Sequence, residues 1–188
     1  MRTLLLAACM AVFALPGLAD DTANGKTDPA DIPDAQVFTS DHSLRLGSKT
    51  VKYRTVASET YLRNEKDEPT ASVFSVAYVD TSTTSAAQRP VTFVFNGGPG
   101  SASLWLHMGA FGPKQVLTPS DASDVGAPPY TMRDNPNSLL DVTDLVFIDP
   151  VGTGYSRPLG ETEGKEFYGV NEDAESIAEF IRIWLTEN

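Results

Sequence analysis

Apolar and polar positions alternate along two short stretches near the start of the predicted folded region. These stretches are Leu44-Arg45-Leu46 and Val51-Lys52-Tyr53, and the Gly47-Ser48 pair between them suits a tight turn. Alternation with a period of two is typical of a strand with one buried face. We therefore predict an antiparallel hairpin here, followed by another strand over residues 72–79.

Two further strand-like runs are each followed directly by a loop that contains several glycines. Val91-Thr92-Phe93-Val94-Phe95 leads into Asn96-Gly97-Gly98-Pro99-Gly100. Leu145-Val146-Phe147-Ile148 leads into the loop of residues 149–156, Asp-Pro-Val-Gly-Thr-Gly-Tyr-Ser. Two units of strand and glycine loop therefore follow one another along the chain.

A helical period of apolar positions replaces the alternation toward residue 188. We predict that Asn171 caps this helix, with Glu172 and Asp173 at its positive N-terminal end. A stripe at helical spacing is predicted to pack on the sheet; its members are Ala174, Ile177, Ala178, Ile181, Trp184 and Leu185. Residues 118–141 are rich in Pro, Asp, Ser and Gly, so we expect a loop there.

The glycine loop that follows Phe95 is the strongest candidate for chemistry. Adjacent glycines allow close backbone approach, and Pro99 fixes one φ angle, so N–H groups of the turn can converge on one point. Such a pair of donors suits an oxyanion or a phosphate. A tight turn whose glycines serve only backbone geometry is the alternative interpretation.

This loop has to be considered together with Asn135-Pro136-Asn137-Ser138-Leu139-Leu140 and with the loop of residues 149–156. Across residues 78–185, these segments resemble the serine carboxypeptidase family (peptidase family S10). The resemblance implies an α/β-hydrolase fold, in which an antiparallel hairpin leads into parallel strands, 91–96 and 144–149, with helices on both faces. Residues 37–188 would be the N-terminal portion of that domain and therefore incomplete.

The resemblance also implies roles for individual residues. Gly98 would supply an oxyanion-hole N–H, and Asn96 with Gly97 would bind the free C-terminal carboxylate of a peptide substrate. A substrate groove would be lined by Gly152, Thr153, Gly154 and Tyr155. The family's catalytic Ser, Asp and His would follow Asn188, so we expect residues 1–188 alone to be inactive. Three positions depart from the familiar family pattern, namely Val94 and Leu139 in place of Trp and Ala102 in place of Cys.

Composition and charge exclude several classes of partner. Lys and Arg total 14 against 25 Asp and Glu, which gives a net charge of −11. Without a basic patch, nucleic acid is not an expected partner. No Cys, His and Asp cluster has metal-ligand spacing, so we predict no metal and no organic cofactor. The expected partners are the C-termini of peptides or proteins, and the sequence gives no indication of oligomeric state.

Residues 1–19 read as a secretory signal peptide, with Arg2 at the start, an apolar core and small residues before the predicted cleavage after Ala19. Cleavage would remove the only cysteine and leave no stable membrane span, so we expect a secreted or periplasmic protein. A lipoprotein attached through Cys9 is the minor alternative. Residues 20–36 hold five Asp, two Pro and one Lys, which predicts a disordered acidic leader.

Other patterns give weaker functional hypotheses. Residues 98–103 nearly match a dinucleotide-binding fingerprint, but Ser replaces the third glycine and no acidic residue follows about 20 positions later on a second predicted strand. Ser156 lies in half of a nucleophile-elbow pattern, in which Pro158 replaces the final glycine, so a structural role is predicted. We expect His107 to be packed and His42 to lie on the hairpin surface.

The function that the sequence favours is a serine-type carboxypeptidase that releases C-terminal residues from peptides. Two alternatives remain open at this point. One is a non-catalytic secreted module that binds peptides, and the other is a different α/β-hydrolase activity, such as that of an esterase or acyltransferase. A peptide with a free C-terminus, tested beside a simple ester, separates these activities.

Overall fold

A mixed sheet of six strands forms the centre of the structure, a computed structural model that describes residues 32–82, 89–97, 100–121, 123–124 and 126–188. The strands are β1 (Val37–Leu46), β2 (Lys49–Arg63), β3 (Pro69–Asp80), β4 (Val91–Phe95), β7 (Asp144–Ile148) and the two-residue β8 (Arg157–Pro158). Their order is β1-β2-β3-β7-β4, and β8 pairs with β3. The predicted signal peptide at 1–19 and leader residues 20–31 lie outside the described residues.

The predicted hairpin is confirmed as the pair β1 and β2, which are antiparallel, with Leu44 opposite Val51. Gly47 in the turn has a φ of +58°, a conformation that glycine adopts without steric cost. Leu44 and Leu46 of β1 and Val51 and Tyr53 of β2 are buried, as the alternation requires. The strand predicted over residues 72–79 lies within β3.

Strand β7 lies between β3 and β4 and is antiparallel to the first and parallel to the second. Val91 pairs with Asp144, and Phe95 pairs with Ile148. All five residues of β7 are buried, which explains its uninterrupted apolar run: a central strand is covered on both faces. The predicted pair of parallel strands is therefore confirmed.

Helical segments cover both faces of the sheet, as predicted. On one face, helix α2 (Val170–Glu187) packs through Ile177 and Phe180 against Leu62, Val146 and Ile148. On the other face, the short helix α1 (Leu104–Leu106) passes into a π-helical turn (His107–Phe111). Leu106 there joins a cluster that includes Tyr53, Leu140 and Phe147.

Two details of the α2 prediction are wrong. The helix is capped by Gly169, whose backbone is extended, and Asn171 already lies in the first turn. Part of the predicted stripe is exposed, namely Ala174, Ala178 and Leu185, whereas Ile177, Ile181 and Trp184 pack on the sheet. Phe180, which the stripe omitted, is fully buried. The buried face is centred on this large ring, and the small alanines lie to one side of it.

The predicted loop at residues 118–141 contains regular structure near its end. Strand β6 (Met132–Asp134) pairs with β5 (Lys114–Val116) in a separate two-stranded sheet, and a 3₁₀ turn follows at Leu139–Asp141. These elements were not predicted. Buried Asn135 donates from Nδ2 to the carbonyls of Ala110 and Gly112, at 2.7 and 2.8 Å, and so holds the two segments together.

The last residues of the predicted leader lie against β2. The Tyr61 hydroxyl donates to the Pro33 carbonyl at 2.8 Å. Glu59 accepts from the Gln36 N–H through its side chain, and its own N–H donates to the Gln36 carbonyl at 2.9 Å. The acidic leader therefore ends in a segment that is held by hydrogen bonds, although residues 32–36 contain no helix or strand.

A buried ion cluster joins three strands at the end of the sheet where β4 and β7 begin. Arg89 Nε is 2.6 Å from Asp144 Oδ1, and Arg89 Nη1 is 3.5 Å from Asp80 Oδ2. The same guanidinium also donates to the Leu140 carbonyl. Burial alone would raise the pKa of Asp80, but hydrogen bonds from Ser82 and the charge of Arg89 lower that pKa below its usual value.

In the part of the chain described here, no helix is long and apolar enough to cross a membrane.

Candidate active site

The candidate site lies at the edge of the sheet where the parallel strands β4 and β7 both end. Asn96 follows β4 directly and Asp149 follows β7 directly, so their two loops lie side by side. A cleft of about 280 Å³ opens at this edge. Its lining residues are Asn96, Gly100, Pro150, Val151, Gly152, Phe167, Tyr168 and Asp173.

Asn96 is held at the mouth of this cleft. Its side chain is half-buried, and Nδ2 donates to Ser101 Oγ at 2.7 Å. The amide group therefore has a fixed orientation but remains next to open space. Gly97 is exposed, whereas Gly98 and Pro99 lie outside the described residues. The oxyanion role of Gly98 consequently stays a prediction.

A buried carboxylate connects the two loops. Asp149 Oδ1 accepts the backbone N–H of Ser103 at 2.9 Å and its hydroxyl at 3.0 Å. Both residues are buried. Because Ser103 caps α1, these two bonds fix the end of the first glycine loop to the start of the second.

The glycines of the second loop are required by the loop's own packing. Gly154 has a φ of +52°, and a Cβ atom on it would lie 1.9 Å from Asp149 Oδ2. Gly152 has a φ of +83°, and a Cβ atom there would lie 2.8 Å from the Tyr168 hydroxyl. A larger residue at either position would have a strained positive φ and would have to displace a neighbouring side-chain oxygen, so glycine is favoured there without reference to a ligand.

The other side chains of this loop divide into buried and exposed groups. Thr153 is buried, and its hydroxyl donates to the Pro150 carbonyl at 2.8 Å. The Tyr155 side chain is 69% exposed, and its ring packs edge-on against Phe74 with centroids 5.1 Å apart. Tyr155 is therefore the residue of this loop that offers most surface to a ligand.

Ser156 has a structural role, as the sequence predicted. Its hydroxyl donates to the Asp149 carbonyl and accepts the Phe74 N–H, both at 2.7 Å. The side chain is buried, so both of its hydrogen-bonding functions are used inside the fold. A hydroxyl in this position is not available as a nucleophile.

The two histidines also lie where the sequence predicted. His107 stacks on Phe147 with centroids 4.3 Å apart and is hydrogen-bonded through Nε2 to the Tyr78 hydroxyl at 2.5 Å. Burial lowers its pKa to about 4, although the charge of Asp149 opposes this shift. His42 is exposed on β1, where Nε2 is 2.8 Å from Ser40 Oγ. The adjacent Asp41 pairs with Arg54, so its carboxylate does not orient the ring as a triad acid would.

Comparison with known proteins identifies the family. The family model described as serine carboxypeptidase, Peptidase S10, matches residues 52–188, well over half of the chain. The chain belongs to the serine carboxypeptidase family. Among solved structures it is similar to Kex1(Δ)p, a prohormone-processing carboxypeptidase from Saccharomyces cerevisiae, at 20% identity and a TM-score of 0.45. That similarity covers 86% of this chain and 30% of the yeast chain. The chain has no match among the curated proteins.

The structure brings together only part of the site that the resemblance to serine carboxypeptidases implied. Asn96 and Gly152 line one cleft. Thr153, Gly154 and Tyr155 lie in the adjoining loop and are not among the residues that line this cleft. Their contribution to a substrate groove stays a prediction.

Sequence reasoning missed the connection between Asp149 and Ser103 in this serine carboxypeptidase chain. In the sequence, Asp149 stands out only as the first residue of the 149–156 loop, because a single carboxylate gives no signal of its partner. The available signal was positional: each residue lies close after one of two predicted neighbouring strands, and parallel strands end at the same edge. The sequence likewise marks Asn135 only as part of a motif. Its role as a buried clamp depends on hydrogen bonds to carbonyls of a segment more than 20 residues earlier.

Proposed function

We propose that the complete protein is a serine-type carboxypeptidase that releases C-terminal residues from peptides. The observation that carries this proposal is the placement of Asn96, whose half-buried amide lines a cleft at the carboxyl edge of the parallel strands. An amide N–H donates well to a carboxylate, and a hydrogen bond to a charged group contributes about 1.5–3 kcal/mol. Membership in the serine carboxypeptidase family supports this assignment.

In this proposal, the chemistry of peptide cleavage is shared between residues 1–188 and chain that follows Asn188. A following serine attacks the last peptide bond, and a following histidine, oriented by aspartate, moves the proton. Gly98 N–H stabilises the tetrahedral oxyanion. The internal bonding of Ser156 supports this division, because its hydroxyl is already used by Asp149 and Phe74.

Secretion is part of the same proposal. The apolar run after Arg2 acts as a signal peptide that is removed after Ala19, and the mature enzyme acts in the periplasm or outside the cell. Residues 20–188 contain no cysteine, so this part of the mature protein forms no disulfides in an oxidising compartment.

The test compares one peptide as its free acid and as its C-terminal amide, using the complete gene product. We expect the free acid to be cleaved faster. Asn96→Ala should reduce the ratio of acid to amide kcat/KM by roughly 10- to 100-fold, because each 1.4 kcal/mol is a factor of ten. Asn137→Ala is the matched control, since Asn137 is an exposed asparagine outside the cleft, and it should leave the ratio unchanged.

Three results would contradict the proposal. An equal loss for acid and amide in Asn96→Ala would show that the residue does not recognise the carboxylate. Peptide binding without turnover would identify a non-catalytic binding module. Turnover of simple esters without turnover of peptides would indicate esterase or acyltransferase activity. Sequencing of the gene beyond codon 188 adds an independent check, because the enzyme requires an in-frame Gly-Glu-Ser-Tyr-Gly-like segment.

A further inference from the structure

Asp149 combines burial, charge and an unusual set of partners. It is 8% exposed and immediately follows the central strand β7. In the described part of the chain, no Lys or Arg forms an ion pair with it, and the two bonds from Ser103 satisfy Oδ1. Hydrogen bonds to an ionised carboxylate are roughly twice as strong as those between neutral groups. The Ser103 contact is therefore the main stabilisation of this carboxylate that the structure shows.

Space for the carboxylate is provided by the loop itself. The Oδ2 atom occupies the position next to Gly154 where any other residue would place its Cβ atom. The Ser156 hydroxyl donates to the Asp149 carbonyl at 2.7 Å and fixes the backbone on which the carboxylate is mounted. The second loop thus holds the Asp149 side chain in one orientation.

Ser103, which follows the first glycine loop, depends on this orientation of the Asp149 carboxylate for its two hydrogen bonds. Asn96 directly follows β4, and Ser103 is held by Asp149. Ser103 also starts the following helical turn, because its carbonyl accepts the His107 N–H at 2.8 Å. Between the ends, Ser101 accepts the bond from the Asn96 amide. Loss of the Asp149 anchor would release the half of the loop that carries Ser101.

We propose that Asp149 is a positioning residue that holds residues 100–103, and through Ser101 the Asn96 amide, in the orientation that recognises a substrate carboxylate. This inference rests on the proposed carboxypeptidase function for its catalytic consequence. The anchoring itself is a property of the fold and can be measured without turnover.

The test uses the complete protein and the variants Asp149→Ala, Ser103→Ala and the double variant. Hydrogen exchange should become faster at the amides of residues 100–104 in each variant. With peptide substrates, Asp149→Ala should lower kcat/KM for the free acid by about 10- to 100-fold and reduce the acid-to-amide ratio. The two single effects should not add in the double variant, because Asp149→Ala already removes the bond to the Ser103 hydroxyl that Ser103→Ala removes.

Ser138→Ala is the matched control, because it removes a buried serine hydroxyl that donates to the Phe111 carbonyl, outside both glycine loops. It should lower the melting temperature without changing the acid-to-amide ratio or exchange at residues 100–104. Unchanged exchange there in folded Asp149→Ala and Ser103→Ala would overturn the inference, as would strictly additive effects. If the wild-type protein cleaves no peptide, the proposed function fails, and the exchange data alone decide whether Asp149 anchors the loop.

Discussion

In the 149–156 loop, the residue type that fits at one position depends on the side chains and backbone groups that it contacts. Gly154 makes room for the Asp149 carboxylate, and Ser156 holds the Asp149 backbone. Gly152 similarly makes room for the Tyr168 ring. The need for glycine at these positions therefore follows from the contacts of this loop.

Gly154→Ala should destabilise the fold strongly. The new Cβ atom would overlap Asp149 Oδ2, and the residue would have to keep a φ of +52°. We expect a loss of about 2–4 kcal/mol in the free energy of unfolding, measured by urea denaturation, from overpacking and from the left-handed backbone. Gly109→Ala is the control, because Cβ there meets nothing within 4 Å, and its effect should stay within about 1 kcal/mol. Equal effects at the two positions would refute the steric argument.

The half-buried ring of His107 should make stability depend on pH. Its pKa in the folded protein is about 4, below the ordinary value of 6.5, because the ring is buried. The unfolded chain therefore binds the proton more readily than the folded protein. The contribution of neutral His107 to the free energy of unfolding is complete above pH 6.5 and is lost as the pH falls toward 4. The loss should reach up to about 3 kcal/mol.

His107→Phe should remove this pH dependence while keeping the stack on Phe147. The free energy of unfolding, measured at several pH values between 6.5 and 4, should fall less steeply in the variant than in the wild type. Parallel curves for the two proteins would show that the ring does not titrate in this range.

Residue roles could be predicted from sequence only where the signal was local. The structural role of Ser156 and the packed state of His107 were predicted, because each followed from the neighbouring motif. The anchor between Asp149 and Ser103 was not, because the two residues are far apart in sequence and meet only when β7 is placed beside β4.

At the scale of elements, Phe180 is the fully buried aromatic residue on the face of helix α2 that packs on the sheet. Phe180→Ala should reduce the free energy of unfolding by about 3–5 kcal/mol, because a large ring leaves a cavity that the sheet cannot fill. Leu185 belonged to the predicted stripe but is 55% exposed, and Leu185→Ala should cost less than about 1 kcal/mol. If the two variants lost equal free energy of unfolding in urea denaturation, Leu185 would belong to the buried face of the helix, as the sequence pattern predicted.

Elements with strong periodicity were predicted well, and short elements were not. The hairpin and both glycine-loop strands follow from apolar patterns that reflect burial directly. Strands β5 and β6 have three residues each, too few for a period, and they are held together by contacts such as the Asn135 clamp. The cap at Gly169 was missed because glycine carries no side chain that could signal a cap.

For the whole molecule, the Arg89 cluster joins β3, β4 and β7 at the end of the sheet opposite the cleft. Arg89→Ala would leave the carboxylates of Asp80 and Asp144 buried without their cation. We expect a loss of about 3–5 kcal/mol in the free energy of unfolding at pH 7. Arg54→Ala, which breaks the exposed pair with Asp41, is the control and should have little effect.

The deficit of Arg89→Ala should depend on pH in a defined direction. In the wild type, the lowered pKa of Asp80 means that its stabilising contribution is present above pH 3.8 and is lost below it. Without Arg89, one of the interactions that lower the pKa of Asp80 is lost, so the variant is destabilised most where this carboxylate is ionised. The difference in the free energy of unfolding between the two proteins should therefore shrink as the pH falls through 3.8 and the carboxylate is protonated. A difference that grew at low pH would contradict the role of the cluster.

The insertion of β7 between β3 and β4 has a consequence for the time course of synthesis. The ribosome completes β4 well before β7, yet β4 pairs only with β7 in the described sheet. At roughly 5–20 residues per second, β4 waits on the order of seconds without a neighbour. A nascent chain arrested before Asp144 should be cut by protease near residues 91–95, and extension past Ile148 and out of the exit tunnel should protect it. Within this window, the half-finished protein presents a bare strand to chaperones and to other nascent chains.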